Sequence, residues 1–197
     1  MEIILATHNL DKCKELKAAF INTNIKIYTL QDFPEIGEII EDGSTLEENA
    51  FIKSKTVYNL TKIPTISDDT GLEVDILNGA PGVYSARYAG EDCSYSDNVN
   101  KLLLDMKNIE EKKRTATFKT VVTYVSKDLE LVAEGSVQGI ITRKPYGNKG
   151  FGYDPIFYVL SHEKTFAEMN INEKQKCSHR GNAITNLTRL FKEHNIL

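Results

Sequence analysis

Apolar residues recur along this chain at two spacings, and each switch between them marks an element. Glu2 to Ala6 is a short apolar run that reads as a strand, closed by the polar turn Thr7-His8-Asn9. Beyond the turn, Leu10, Cys13, Leu16 and Phe20 fall at helical spacing behind Asn9, a residue suited to capping a helix. Ile25 to Leu30 alternates apolar and polar residues, as a strand does. Ser44 and Glu47 form an S-x-x-E capping pattern that predicts a second helix, with Leu46, Ala50, Ser54, Val57 and Tyr58 along its packed stripe. Pro64 blocks continuation of that helix. Pro64 to Ser67 then reads as a short strand with Asp68 and Asp69 at its C-terminal end.

Gly79-Ala80-Pro81-Gly82 is a turn-forming segment. Ser96 to Met106 has a helical pattern. Thr115 to Val125 and Leu129 to Thr142 read as two long strands, with Lys127-Asp128 between them as a hairpin turn. Gly147 to Gly152 is a glycine-rich loop, Ile156 to Val159 a further strand, and Gly181 to His194 a closing helix. Strand-helix units followed by a long hairpin predict an α/β fold with a mixed sheet, arranged as one domain of two lobes. Ligands in such folds usually sit outside the carboxyl ends of strands, where both Thr7 to Asn9 and the aspartate pair are expected.

Composition changes this picture little. The chain has 197 residues, 41% hydrophobic and 26% charged, as expected for a globular domain with its own core. A net charge of −4 gives no reason to expect nucleic acid as a partner. No apolar run is long enough for a membrane span, and the start lacks the basic residues and long apolar segment of a secretory signal, so a cytosolic location is expected. Cys13, Cys93 and Cys177 are far apart and form no C-x-x-C pair, which argues for free thiols rather than a disulfide or zinc site.

Five segments carry candidate chemistry. T-H-N-L-D-K, Thr7 to Lys12, joins a strand end to a helix start, where unpaired N–H groups and the positive dipole end suit phosphate; an ordinary capped helix with exposed lysines gives the same pattern. In Glu41 to Lys55, Asn49 and Lys53 share a helix face, so an amide and a cation can meet phosphate while Glu41 reaches a metal; a salt-bridged solvent face is the alternative. Asp68-Asp69 is the stronger signal. Adjacent carboxylates after an apolar strand need a compensating cation, and Mg²⁺ takes carboxylate and phosphate oxygens together. One aspartate of such a pair can also accept a proton from an attacking water. In G-F-G-Y-D-P-I-F, Gly150 to Phe157, glycines allow close backbone approach, Phe151 or Tyr153 can stack on a base, and Asp154 can hold the base or a cation. Lys174, His179 and Arg180 offer donors in quick succession. The P-loop pattern and the G-x-S-x-G elbow are both missing.

The order of these segments, with S-D-D-T-G-L-E-V-D-I-L-N-G-A-P-G-V-Y-S-A-R-Y-A-G and S-H-R-G-N-A, resembles the inosine triphosphatase, or Ham1-like, family from Thr7 to Ala183. The resemblance implies a long twisted mixed sheet with flanking helices, two lobes around a central cleft, and a homodimer. It implies hydrolysis of non-standard purine nucleoside triphosphates (ITP, dITP and XTP) to the monophosphate and pyrophosphate. By motif position Thr7, His8, Asn9, Leu10, Asp11 and Lys12 hold phosphates together with Lys53. Glu41 and Asp69 coordinate Mg²⁺, which Mn²⁺ can replace; Asp68 supports them and Asp69 accepts the proton. Thr70 touches substrate, and Phe151, Gly152, Tyr153, Asp154, Lys174, His179 and Arg180 form the base pocket. His8 stands where the family often has Gly, and Thr70 where it often has Ser. A Maf-like pyrophosphatase acting on pyrimidine or modified-base triphosphates, a nucleotide sensor without hydrolysis and a protein adaptor are the rival readings.

Overall fold

Strand β1 (Glu2–Leu5) is buried on both faces, and its alternation decides what covers each one. Ile3 and Leu5 join one apolar cluster, while Ile4 and Ala6 join another. The computed structural model describes residues 1–21 and 23–197. Among these, eight strands form one mixed sheet in the order β2-β1-β3-β5-β6-β7-β8, with β4 paired to β3. The strands are β2 (Lys26–Thr29), β3 (Thr65–Val74), β4 (Pro81–Gly82), β5 (Thr115–Val125), β6 (Glu130–Ile141), β7 (Phe157–Val159) and β8 (Lys164–Thr165). The helices are α1 (Leu10–Ala19), α2 (Leu46–Thr61), α3 (Tyr95–Asp105), α4 (Ile171–Cys177) and α5 (His179–Glu193). The expected α/β class with a mixed sheet is what the chain adopts.

By internal contacts the chain divides into two compact units. The first comprises Met1–Asp69, Thr120–Gly135 and Arg180–Leu197, the second Thr70–Lys119 and Ser136–His179. In the first, β1 pairs in parallel with β2 and with β3. Leu16 of α1, Phe20 at its C-terminal cap, and Ala183, Leu187 and Phe191 of α5 pack with Ile3, Leu5 and Ile66. Val57 of α2 packs with Ile4, Ala6 and Leu30 on the other cluster. In the second unit, Leu72, Leu102, Met106, Phe118, Phe157 and Phe166 form the centre of a separate core. Full burial of each such side chain contributes roughly 1.5–3 kcal/mol.

Several sequence expectations shift. The box at the start of α2 is Thr45 with Glu48, not Ser44 with Glu47. The chain carries two overlapping S/T-x-x-E patterns, and Ser44 itself bonds Glu48 through both its N–H and its hydroxyl. Helix α3 starts earlier than expected, because Ser94 and Asp97 form its capping box and Ser96 lies inside it. Asp68 and Asp69 are not at a strand end. Gly71 does not break β3, which continues through the buried Leu72 and Val74. Pro81-Gly82 pairs with Leu72 and Glu73 rather than serving only as a turn. Helix α4 was not anticipated, and α5 starts at His179. Lys127-Asp128 does form the hairpin turn, closed by Ser126 N–H donating to Leu129 O at 2.9 Å. The three cysteines are free, as expected, although only Cys13 is fully buried. No helix among the described residues is long and apolar enough to cross a membrane.

Arg114 is buried in the second unit, and its guanidinium donates to three backbone carbonyls. These are Ile141 O at 2.7 Å, Met106 O at 2.6 Å and Thr142 O at 2.8 Å, so it ties the end of α3 to the end of β6. Arg114→Met removes all three donors at once and is expected to lower the unfolding free energy by about 2–4 kcal/mol. Urea unfolding checks this; an unchanged midpoint would show that the carbonyls are satisfied without the arginine.

Candidate active site

In the first unit, one strand, three helices and the segment before α2 bring charge together. Successive residues of a strand point to opposite faces, so Asp68 and Asp69 diverge. Asp68 is fully buried. Its Oδ2 accepts from Arg180 Nη2 at 2.8 Å and from Nε at 3.1 Å. Arg180 Nη1 donates to Glu15 of α1, making a buried carboxylate–guanidinium–carboxylate chain. Asp69 is partly exposed and faces α2. Its Oδ1 lies 3.5 Å from Lys53 Nζ, and its Oδ2 lies 3.4 Å from the Asn49 amide nitrogen. Lys53 Nζ also donates to Glu41 Oε2 at 2.5 Å. Lys12 Nζ stands 3.5 Å from Asp68 Oδ2 and 4.0 Å from Asp69 Oδ1.

Helical geometry sorts the lysines that sequence treats alike. Lys12 turns inward, whereas Lys14, 200° further round α1, pairs with Asp11 on the surface at 2.9 Å. Lys53 turns inward, whereas Lys55 reaches Glu130 at 2.8 Å on the outside. Helix α2 is held in place by hydroxyls. Ser54, Ser67 and Thr123 all donate to the single carbonyl of Ala50, at 3.1, 2.5 and 3.1 Å. That cluster fixes the face bearing Asn49 and Lys53 against β3.

The turn Thr7 to Lys12 is tighter than an open anion site. Asn9 Oδ1 already accepts from the N–H groups of Asp11 and Lys12, at 3.0 and 3.1 Å, and Asn9 N–H donates to Thr7 Oγ1 at 3.2 Å. Leu10 is 52% exposed and off the packed face of α1. What this segment brings to the cluster is chiefly the Lys12 ammonium.

Charge balance governs protonation here. Burial would raise the pKa of Asp68, but Lys12, Arg180 and Lys53 outweigh it and hold the carboxyl far below the ordinary range. For Arg180 burial is likewise outweighed, by Asp68 and Glu15, which push the guanidinium up. Lys12 goes the other way: burial, with Lys53 and Arg180 nearby, lowers its pKa despite the aspartates. Lys53 is raised, because Asp69, Glu41 and Asp68 outweigh its burial.

Glu41 and Asp69 share the Lys53 ammonium, so two carboxylates border one point. Among the described residues no group of three or more His, Cys, Asp or Glu is placed to cage a metal. Two hard oxygen donors with phosphate to supply the rest is the arrangement Mg²⁺ accepts. The donor set therefore fits that ion.

The second unit gathers a different set. Lys174 Nζ donates to Asp154 Oδ2 at 2.6 Å and lies over the ring of Phe151 at 4.9 Å and of Phe166 at 5.5 Å. Asp154 Oδ2 also accepts from Phe151 N–H at 2.9 Å. Gly150 has a φ of +70°, and a Cβ there would lie 2.0 Å from Asp154 Oδ2, so only glycine fits. Gly152 takes a φ of +60° in open space. Tyr153 is buried and donates its hydroxyl to Ser85 O at 2.9 Å, so it anchors the loop, while the Phe151 ring lies 5.7 Å from that of Tyr95. His179 stacks on Phe118, centroids 4.3 Å apart and planes 14° apart. Thr70 is half-buried in β3.

The structure thus joins Lys12, Glu41, Lys53, Asp68 and Asp69, and separately Phe151, Asp154, Lys174 and His179. Arg180, grouped by the resemblance with the base pocket, has its bonds on Asp68 and Glu15. Glu15 is the site residue that sequence reading missed. Glu15 lies 100° round α1 from Leu16, off the stripe of Cys13, Leu16 and Phe20, so spacing gave no signal for it.

The comparisons agree with this architecture. The Ham1 family model matches residues 3–190. A dITP/XTP pyrophosphatase of Thermoanaerobacter pseudethanolicus is 46% identical over 187 residues, covering 95% of this chain and 94% of that protein. A dITP/XTP pyrophosphatase of Listeria innocua is 46% identical over 193 residues, covering 98% and 95%. Among solved structures, the Staphylococcus aureus Ham1 protein has a TM-score of 0.87 at 39% identity, covering 98% of this chain and 100% of that one. A HAM1 protein from Coxiella burnetii has a TM-score of 0.88 at 38% identity, covering 98% and 99%. With most of its length matched by sequence and by fold, this chain belongs to the Ham1 family.

Proposed function

We propose that this protein is a Mg²⁺-dependent nucleoside-triphosphate pyrophosphohydrolase that converts dITP, XTP and ITP to the monophosphate and pyrophosphate. The observation that carries it is the cluster of Lys12, Glu41, Lys53, Asp68 and Asp69, in a member of a family whose relatives are named dITP/XTP pyrophosphatase. Glu41 and Asp69 would hold the cation, which neutralises phosphate charge and lowers the pKa of bound water. Asp69, partly exposed, accepts the proton as a water oxygen attacks the α-phosphorus and the bond to the β-phosphate oxygen breaks, leaving pyrophosphate. Lys12 and Lys53 neutralise the phosphate oxygens through that change. Asp68, held ionised by Lys12 and Arg180, keeps Lys12 oriented, while Glu41 and Asp69 orient Lys53.

Base selection rests on the second unit. Phe151 offers a ring to any base, and Lys174, with donors only, favours a keto oxygen at position 6. An amino group there leaves donors facing donors, a mismatch that costs discrimination of about 10²-fold or more. Removal of non-standard purines from the nucleotide pool suits a cytoplasmic enzyme. A homodimer is part of the same reading, and light scattering is expected to give twice the chain mass.

Pyrophosphate release from dITP, XTP, ITP, GTP, ATP and dTTP tests the reaction. Fast release from the first three, lost on chelating Mg²⁺, is expected. Release mainly from dTTP would favour the Maf-like reading, and tight ITP binding without release a sensor. Asp69→Asn is expected to lower kcat by about 10²–10⁴-fold with the fold intact by circular dichroism. Lys53→Ala should also raise KM, because it removes a phosphate contact. Near-normal turnover in Asp69→Asn would remove it from the proton-accepting role.

A further inference from the structure

Residues 37–43, between the turn Pro34–Ile36 and α2, carry Glu41 on backbone that is neither helix nor strand. The placement of Glu41 therefore depends on point contacts. At the α2 end, Gly43 N–H donates to Asn49 Oδ1 at 2.8 Å, and the amide nitrogen of Asn49 faces Asp69. Midway, Ile36 and Ile39 pack against the cluster of Ile4, Ala6, Leu30 and Val57. At the other end, His8 Nε2 lies 2.7 Å from the Gly37 carbonyl. A carbonyl only accepts, so Nε2 is assigned the proton.

Gly37 adopts φ +63° and ψ −161°, a region essentially restricted to glycine. A Cβ at Gly37 would meet no atom within 4 Å, so steric crowding is not what requires glycine there. The backbone conformation is, and it directs the carbonyl that His8 meets. His8 itself belongs to the turn from which α1 carries Lys12 to the aspartates. A glycine at position 8 would have no side chain to make this bond.

We propose that His8 is a positioning residue: its hydrogen bond to Gly37 fixes the segment bearing Glu41 against the turn that leads to Lys12, and so sets the cation site. This rests on the reading of Glu41 and Asp69 as cation ligands. The bond is exposed and single, so its effect is modest and local.

The test is titration of the purified chain with Mn²⁺ alone, following free Mn²⁺ by electron paramagnetic resonance. His8→Gly is expected to weaken Mn²⁺ binding about two- to ten-fold, the range of one ordinary hydrogen bond. His8→Gln, which keeps an N–H donor, should restore most of it. Gly37→Ala should weaken binding similarly, and the His8→Gly/Gly37→Ala double variant no further than either alone. Wild-type affinity in His8→Gly, or a raised nucleotide KM with unchanged Mn²⁺ affinity, overturns the proposal. Glu41→Gln separates the two layers: if it binds Mn²⁺ as well as wild type, the ligand reading fails; if it loses Mn²⁺ while His8→Gly does not, only the positioning role fails.

Discussion

An ionised carboxylate in the interior is the constraint around which the first unit is arranged. Removing Asp68 from water without a partner would cost several kcal/mol. Arg180 meets that cost with two N–H groups on one carboxylate oxygen, Lys12 adds a second cation 3.5 Å away, and the Nη1 of Arg180 donates to Glu15. Because Arg180 lies on α5, Glu15 on α1 and Asp68 on β3, the same ion chain locks two helices to the sheet. Removing one member would strand a buried charge, an effect of about 3–5 kcal/mol. Asp69 is relieved of any such structural duty. Strand alternation turns it toward α2, where it keeps some exposure and can meet a ligand.

Much of this was legible in the sequence because it follows from local rules. Helical and strand spacing found β1, α1, α2, β5 and β6, and the paired aspartates marked the centre of the site. The errors have physical causes. Two overlapping capping patterns at Ser44 and Thr45 cannot be ranked without the N-cap backbone angles. Strand β3 looked short because Asp68 and Asp69 interrupt its apolar run, yet buried cations allow it to continue. Arg180 read as a free donor because its partners lie 112 and 165 residues away in sequence. Glu15, off the apolar stripe of α1, drew no notice for the same reason. Long-range pairing of charges is where a single sequence is silent. The direction taken by Lys12 and by Lys14, in contrast, was already implied by 3.6 residues per turn.

In the second unit the glycines and aromatics of 150–157 play unequal parts. Tyr153 and Gly150 build the loop, one through its bond to Ser85 O and the other by leaving room for Asp154. Phe151 packs beside Tyr95 and under the Lys174 ammonium. The sequence motif mixes residues that shape the loop with residues that can meet a ligand, and only side-chain direction tells them apart. His179, the first residue of α5, is likewise engaged in the core, its ring stacked on Phe118.

Both units use one device to keep a buried ammonium in place. Lys53 lies 2.5 Å from a Glu41 oxygen, and Lys174 lies 2.6 Å from an Asp154 oxygen. A lone buried lysine tends to lose its proton, since burial penalises the charged form. For Lys53 the surrounding carboxylates reverse that tendency, so the charge persists. The carboxylate also restricts the long side chain to one direction, which lowers the entropy lost when a ligand is held. An ammonium has three donors, so others remain after one meets its carboxylate. The neighbours differ: Lys53 stands among further charges and Lys174 among aromatic rings.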